Sequence, residues 1–104
     1  MAVSFDTVLS NDRIDKMFDY VYILLLRNNK LYTGSTGDLR NREKAHRNGL
    51  VISTKNFRPV KLIHYEAYLE KRDALRRERY LKTTEGKRFL RQQIKLLLKK
   101  IKYI

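Results

Sequence analysis

The sequence predicts an α+β fold, in which helices pack on a small three-stranded antiparallel sheet in the order β-β-α-β-α-α. Two short segments rich in aromatic, β-branched and leucine residues flank Asn28-Asn29, and asparagine favours tight turns because it tolerates left-handed backbone. A third such segment follows Pro59. The charged segments between and after them repeat apolar residues at helical spacing. A sheet covered by helices is the simplest arrangement of these elements.

The first half of the chain contains a hairpin and one helix. Residues 20–27 and 30–34 are the two hairpin strands. Asp38 is a suitable N-cap for a helix over residues 39–47, because its carboxylate can accept hydrogen bonds from the first backbone amides. The Asn-Gly pair after residue 47 ends this helix.

The second half continues with a strand over residues 60–68 and a helix over residues 71–82. Gly86 breaks or bends that helix, and a basic amphipathic helix over residues 89–101 ends the chain. Its apolar stripe consists of Phe89 or Leu90, Ile94, Leu97, Leu98 and Ile101. Residues 1–18 show weak periodicity and are predicted to form an N-terminal arm, partly ordered, before a domain over residues 19–104.

The net charge predicts a polyanionic partner. The 104 residues suit one domain, and their formal charge is +13. Nucleic acid is the first candidate and an anionic membrane surface the second. The chain has no cysteine, which excludes disulfides and thiolate-bound zinc and suits a cytoplasmic location. Its longest apolar run, residues 21–26, is too short to cross a membrane.

Four side chains with catalytic potential lie on the hairpin and the first helix. Tyr22 and Tyr32 are on the two hairpin strands, so their rings meet across the pair if the register allows. Arg42 and His46 are four residues apart and share one face of the helix. Leu39 lies on the same side and should anchor it to the sheet, which would turn Arg42 and His46 toward the rim.

Glu78 falls along the apolar stripe of the helix over residues 71–82, because Ala74, Leu75 and Leu81 are three or four residues away. A carboxylate there needs a partner or a metal, since burying an unpaired charge is costly. The alternative is an exposed pair with Lys82, worth only about 0.3–0.5 kcal/mol. The spacing alone leaves both interpretations open.

These residues together resemble the GIY-YIG nuclease superfamily. The order is "YVY", then "YTG" ten residues on, then Arg42-x-x-x-His46, then Glu78 in "ALRRERYLK". The resemblance covers residues 20 to 90 and is closest to compact single-domain bacterial members related to the N-terminal nuclease domain of UvrC. It is carried by "LYTGSTGDLRNREKAH", "RPVKLIHYEAY" and "ALRRERYLKT". The first tripeptide lacks the leading glycine, the second has a central threonine, and a later asparagine of some larger members has no counterpart.

The resemblance implies a DNA endonuclease that uses one divalent cation, Mg²⁺ or Mn²⁺, and needs no small-molecule cofactor. Glu78 would hold the ion, with water completing its shell, and Arg42 would bind the non-bridging phosphate oxygens. Tyr22 or Tyr32 would orient or deprotonate the attacking water. A free tyrosine has a pKa near 10, so positive charge nearby would have to stabilise the phenolate. His46 is the alternative base, or it hydrogen-bonds to the tyrosine.

Further residues are candidates for substrate binding. Gly34 would allow the backbone to approach a phosphate or the helix closely. Lys55, Arg58 and Arg76 would contact backbone phosphates. Less specific candidates are Ser53, Thr54, Arg77 and Arg79, and His64 is interpreted as structural.

Nothing in the sequence indicates base reading, so we expect recognition of DNA shape, including branched or damaged DNA, and a role in DNA repair. The alternative function is a nucleic-acid-binding module on the same scaffold with little or no catalysis. A monomer or weak dimer is expected, and membrane binding is not.

Overall fold

The computed structural model describes residues 15–101 and confirms the predicted order of elements. The strands are β1 (Asp19–Leu25), β2 (Leu31–Thr36) and β3 (Lys61–Tyr68), which form one antiparallel sheet in the order β2-β1-β3. The helices are α1 (Leu39–Arg47), α2 (Lys71–Leu81), α3 (Thr84–Gln93) and α4 (Lys95–Lys100), and a 3-10 turn covers Lys55–Phe57. The prediction for the N-terminal arm, residues 1–18, falls mostly outside the described residues.

The central strand β1 is buried on both faces of the sheet, which explains its continuous apolar sequence. Because successive side chains of a strand point to opposite faces, Val21 and Ile23 pack against the helices from α2 onward. Their buried partners are Ala74, Leu81, Leu90, Ile94 and Leu98. Tyr22 and Leu24 face the other side, where α1 lies. Their partners there are Leu26, Tyr32, Leu39, Val60 and Leu62.

The turn and the cap predicted for the first half are confirmed. Asn29 adopts a left-handed backbone with φ 69°, and the Leu26 amide donates to the Lys30 carbonyl at 2.9 Å to close the hairpin. Asp38 caps α1 by accepting a hydrogen bond from the Asn41 amide at 3.1 Å. The Asp38 cap fixes the point after β2 at which α1 begins.

The predicted last helix is two helices, and the first of them begins earlier than predicted. Thr83 caps α3 by accepting a hydrogen bond from the Gly86 amide at 3.0 Å, and the chain leaves helical geometry at Ile94 before α4 begins. Gly86 therefore lies in the first turn of a helix and is not a breaker. A Cβ there would lie 1.9 Å from the Tyr80 carbonyl oxygen, so glycine allows α3 to pack against the end of α2.

Leu90 begins the buried stripe of these helices, while Phe89 is 52% exposed. Ile94 and Leu98 continue the stripe, with Leu97 and Ile101 partly buried beside it. Within residues 15–101, no helix combines the length and the apolar composition needed to cross a bilayer.

A carboxylate cluster joins β3 to α2. Glu66 accepts hydrogen bonds from Arg77 Nε at 2.9 Å and from the Tyr68 hydroxyl at 2.8 Å, and His64 Nε2 lies 3.2 Å from its other oxygen. The hydrogen bonds from His64, Arg77 and Tyr68 lower the pKa of Glu66 to about 2, although burial opposes this shift. His64 is therefore part of a structural cluster. Arg77, a candidate for phosphate contact, is bound to Glu66 instead.

Candidate active site

The site begins with a tyrosine ring that lies across a glycine. Tyr22 of β1 is paired directly opposite Gly34 of β2. A Cβ at position 34 would come within 2.5 Å of the Tyr22 Cζ and hydroxyl oxygen. Only glycine therefore lets the ring reach over β2 in this orientation. This packing accounts for Gly34, and its contact with a phosphate stays a prediction.

The Tyr22 hydroxyl is the centre of a buried hydrogen-bond chain. It shares a hydrogen bond of 2.8 Å with His46 Nε2, and His46 Nδ1 lies 2.7 Å from Thr54 Oγ1. Arg42 Nε donates to the same hydroxyl oxygen at 3.3 Å. The chain thus runs from the guanidinium of Arg42 into the interior of the protein.

His46 is completely buried, whereas the sequence placed it at the rim of the sheet. The rim position is wrong because α1 packs so closely on the sheet that the ring fills the space between Tyr22, Tyr32 and Thr54. Burial and the nearby charge of Arg42 lower the pKa of His46, so the imidazole is neutral at pH 7. The sequence suggested that His46 is either the general base or a hydrogen-bond partner of a tyrosine, and the structure contains the hydrogen bond with Tyr22.

Thr54 is also completely buried. Its hydroxyl is used by His46, so the suggested contact between Thr54 and phosphate is wrong. No sequence signal indicated this hydrogen bond, because His46 and Thr54 meet only when the loop after α1 folds back under the helix.

Arg42 is exposed and lies between two phenols. Its pKa is raised chiefly by the hydrogen bond with Tyr22, and Tyr32 adds smaller increases through its charge and a hydrogen bond. Tyr32 is half-buried, and its ring centroid lies 6.4 Å from that of Tyr22. The register pairs Tyr32 with Leu24, so the two tyrosines are diagonal neighbours across the strands. The predicted arginine is thus hydrogen-bonded to Tyr22 and lies within electrostatic reach of Tyr32.

Glu78 reaches the same edge of the sheet from α2. Its side chain is 18% exposed, Ser35 Oγ donates to Oε1 at 2.8 Å, and Lys82 Nζ donates to Oε2 at 3.1 Å. Both interpretations of Glu78 are thus partly present, since the carboxylate is largely buried and is also paired with Lys82. Ser35 was missed in the sequence, where only its position next to Gly34 pointed to the site.

Electrostatics links Glu78 to the phenols. Burial raises the pKa of Tyr22, the hydrogen bond from Arg42 opposes this, and the Glu78 carboxylate adds a smaller increase. The carboxylate therefore lies within electrostatic reach of the Tyr22 hydroxyl. Phenol, guanidinium and carboxylate converge on the stretch of β2 around Gly34.

The residues around Glu78 fit a hydrated cation and do not fit an ion enclosed by protein. No group of three or more His, Cys, Asp or Glu side chains suited to a metal occurs in residues 15–101. Mg²⁺ commonly keeps several waters and binds through one or two carboxylates together with substrate phosphates. Glu78 can supply one such ligand if Lys82 yields Oε2.

The remaining predicted substrate residues lie on the surface of the protein. Lys55 and Arg58 are exposed, and Arg58 Nε donates to the Lys55 carbonyl at 3.0 Å. Arg58 also packs on Gly49, whose backbone is left-handed with φ 76°. Arg76 is exposed on α2. Contact of these three residues with phosphate stays a prediction.

Comparisons with known proteins give one family and a set of bacterial relatives. Residues 18–92 match the family described as the GIY-YIG catalytic domain. A UPF0213 protein of Clostridium perfringens is 46% identical over 65 residues, which cover 62% of this chain and 70% of the relative. A UPF0213 protein of Staphylococcus haemolyticus is 41% identical over 75 residues, or 71% and 85% of the two chains. UPF0213 protein YazA of Bacillus subtilis is 37% identical over 70 residues, or 66% and 71%. No solved structure matches.

Proposed function

Because the chain belongs to the GIY-YIG catalytic domain family, we propose that it is a metal-dependent DNA endonuclease that selects DNA by its structure more than by its sequence. The observation that carries this proposal is the convergence of Tyr22, Tyr32 and Arg42 with Glu78 at the edge of β2. The charge of +13 supports a polyanionic substrate.

Arg42 would bind the scissile phosphate. Its Nε–H is engaged by Tyr22, and a guanidinium has further N–H groups that can donate to phosphate oxygens. Tyr22 would hold the guanidinium in place, since this tyrosine is only 1% exposed and is fixed from behind by His46. Preorganised donors of this kind stabilise charge that develops in the transition state.

Tyr32 is the better placed of the two tyrosines to contact the attacking water. It is half-buried, whereas Tyr22 and His46 are buried. In this assignment Tyr22 and His46 are positioning residues.

Glu78 would supply a protein ligand to Mg²⁺ or Mn²⁺, which would polarise the scissile phosphate and neutralise the leaving oxygen. Ser35 holds Oε1 by a hydrogen bond and so fixes the orientation of the carboxylate. Lys82 would move from Oε2, and its ammonium would then be free to contact a phosphate.

The proposal is tested by incubating the protein with plain, nicked and branched duplex DNA in Mg²⁺, in Mn²⁺ and in a chelator. We expect cleavage that the chelator abolishes and that falls about 100-fold or more in Glu78→Gln and in Arg42→Gln, as loss of one transition-state donor typically does. Glu85→Gln is the matched control, because Glu85 is an exposed carboxylate on α3. Equal activity in Glu78→Gln and the wild type would disprove the assignment.

A second candidate function is DNA binding with little or no catalysis. The pair between Lys82 and Glu78 favours it, because the ammonium already occupies the carboxylate oxygen that a metal would need. This function predicts binding that weakens steeply with salt, no cleavage with either metal, and no effect of Glu78→Gln on affinity.

A further inference from the structure

A groove of about 250 Å³ lies between β2 and α3, next to the candidate active site. Its lining residues are Lys30, Leu31, Thr33, Leu81, Lys87, Leu90 and Arg91. The three leucines are the apolar part of the lining, and two of them, Leu81 and Leu90, also belong to the buried core. The charged lining is entirely cationic, and Thr33 adds a hydroxyl group.

The groove adjoins Glu78 through two elements. Thr33 precedes Ser35 by two residues on β2, so the two side chains share a face of the strand about 7 Å apart. Ser35 is the residue that donates to Glu78. Leu81 follows Glu78 by three residues on α2, which is about 4.5 Å along the helix axis. A polymer bound at Glu78 can therefore enter the groove within one or two repeats of its backbone.

The three cations of the groove have no neutralising partner within the part of the chain that the structure describes. Several other cations are paired with carboxylates, among them Arg47 with Glu43 and Arg77 with Glu66. Lys30, Lys87 and Arg91 have no ion-pair partner among residues 15–101. Like charges around one groove repel each other, and a bound polyanion would relieve that repulsion.

The depression on the other side of Ser35 differs in charge. It is lined by Asp19 and Lys71 together with Ser35, Thr36, Gly37, Ala74 and Leu75. One acidic and one basic residue there give no net attraction for phosphate. The electrostatics along the edge of β2 therefore favours a polyanion on the side of Lys30 and disfavours it on the side of Asp19.

We propose that the groove of Lys30, Lys87 and Arg91 binds the phosphodiester backbone of the DNA strand on one side of the scissile phosphate. The strand then runs along the outer edge of β2, from Glu78 toward α3. This inference rests on the proposed function, because that function places the scissile phosphate next to Glu78. Binding of DNA in the groove does not itself require catalysis.

The first test compares two triple variants that remove equal charge. Lys30→Gln/Lys87→Gln/Arg91→Gln empties the groove of cations, and Lys95→Gln/Lys99→Gln/Lys100→Gln removes exposed cations from α4. Affinity for labelled nicked duplex is measured by fluorescence anisotropy in a chelator, over about 0.05–0.2 M salt. The plot of log K against log salt has a negative slope. Its magnitude should decrease by about 2 to 3 in the groove variant, since each lost phosphate contact removes about 0.9 from it. The α4 variant should change the slope by less than about 1.

The second test locates the contact on the DNA. Nicked duplexes carry three neutral methylphosphonate linkages on either the 5′ or the 3′ side of the nick. The wild type should lose affinity with only one of these substrates, and the groove variant should be insensitive to that same substrate because the two changes remove the same contact.

The outcomes separate this inference from the proposed function. Equal loss of affinity in the two triple variants, or none in either, overturns the groove as a specific contact even if the wild type cleaves DNA. Loss confined to the groove variant supports the groove even if no metal gives cleavage. A wild type that binds no DNA in the chelator overturns the inference as well.

Discussion

Tyr22 and Gly34 act as a pair, because the ring occupies the space that any Cβ at position 34 would need. The family resemblance pointed to both residues. The reason for the glycine required the register, which places the two residues directly opposite each other. In the same way, the helical spacing gave Arg42 and His46 a common face, but only the depth of α1 on the sheet decides that one is exposed and the other buried.

Gly34→Ala should destabilise the protein by about 1–3 kcal/mol, as overpacking a filled site does, and should lower the proposed cleavage at least about tenfold by moving the Tyr22 hydroxyl from Arg42. Urea unfolding and the cleavage assay measure the two effects. Gly37→Ala is the control, since a Cβ there meets only the Asp19 carboxylate at an ordinary 3.4 Å. Equal effects of the two substitutions would contradict the pairing of Tyr22 with Gly34.

The lowered pKa of His46 should make the free energy of unfolding depend on pH. Burial and Arg42 lower its pKa in the folded state, so the unfolded chain binds a proton more readily, and the free energy of unfolding should fall as pH drops below about 6.5. His46→Gln, which cannot titrate, should flatten this dependence. Urea unfolding at about pH 7.5 and about pH 5.5 measures it. His64→Gln retains His46 and should keep the decline; a flat profile in that variant as well would assign the effect elsewhere.

At the scale of elements, α1 was predictable because its signals are local, namely the Asp38 cap and the Asn-Gly stop. The division of the C-terminal region was not. A glycine lowers helix propensity, so Gly86 indicated a break, and only its contact with the end of α2 reveals why it lies inside α3. The Thr83 cap was the one local signal for the true start of that helix.

Gly86→Ala should be more harmful than Gly34→Ala. The atoms that its Cβ would meet belong to the backbone of Tyr80 and Leu81, so they cannot move aside as a side chain can. We expect a loss of at least about 3 kcal/mol in the free energy of unfolding, in the range of severe core changes. Urea unfolding followed by circular dichroism measures it. Lys87→Ala, an exposed neighbour in the same helix, should change stability by less than about 0.5 kcal/mol.

Across the whole molecule, the strand-forming apolar segments and the helical spacing of apolar residues predicted one sheet with helices, and the charge predicted the class of partner. The ion pairs that join the elements could not be predicted, because they depend on which charged residues the topology brings together. Glu66 of β3 and Arg77 of α2 are eleven residues apart in sequence and form one of the least exposed salt bridges among residues 15–101.

The Glu66 cluster predicts the acid stability of the molecule. The pKa of Glu66 in the folded state is about 2, against an ordinary 4.5. The Glu66 carboxylate therefore contributes fully to the free energy of unfolding above about pH 4.5, and this contribution is lost as pH falls toward 2. Its upper limit is about 3 kcal/mol. Glu66→Gln should therefore lose most of this stability at pH 7, and its unfolding curve should approach that of the wild type at low pH. Glu43→Gln, which breaks the pair with Arg47 on the surface of α1, should cost less than about 0.5 kcal/mol at any pH.

The chain from Arg42 through Tyr22 and His46 stops at Thr54, whose hydroxyl has no access to solvent. This hydrogen-bond chain therefore cannot pass a proton on to solvent at its inner end. A proton that shifted inward from the phenol would meet a desolvated imidazole beside a guanidinium, where positive charge is unfavourable, and it could leave only by the route along which it came. The buried half of this assembly therefore holds the phenol in position, and any proton released in the proposed cleavage would have to leave at the solvent-exposed side of Arg42.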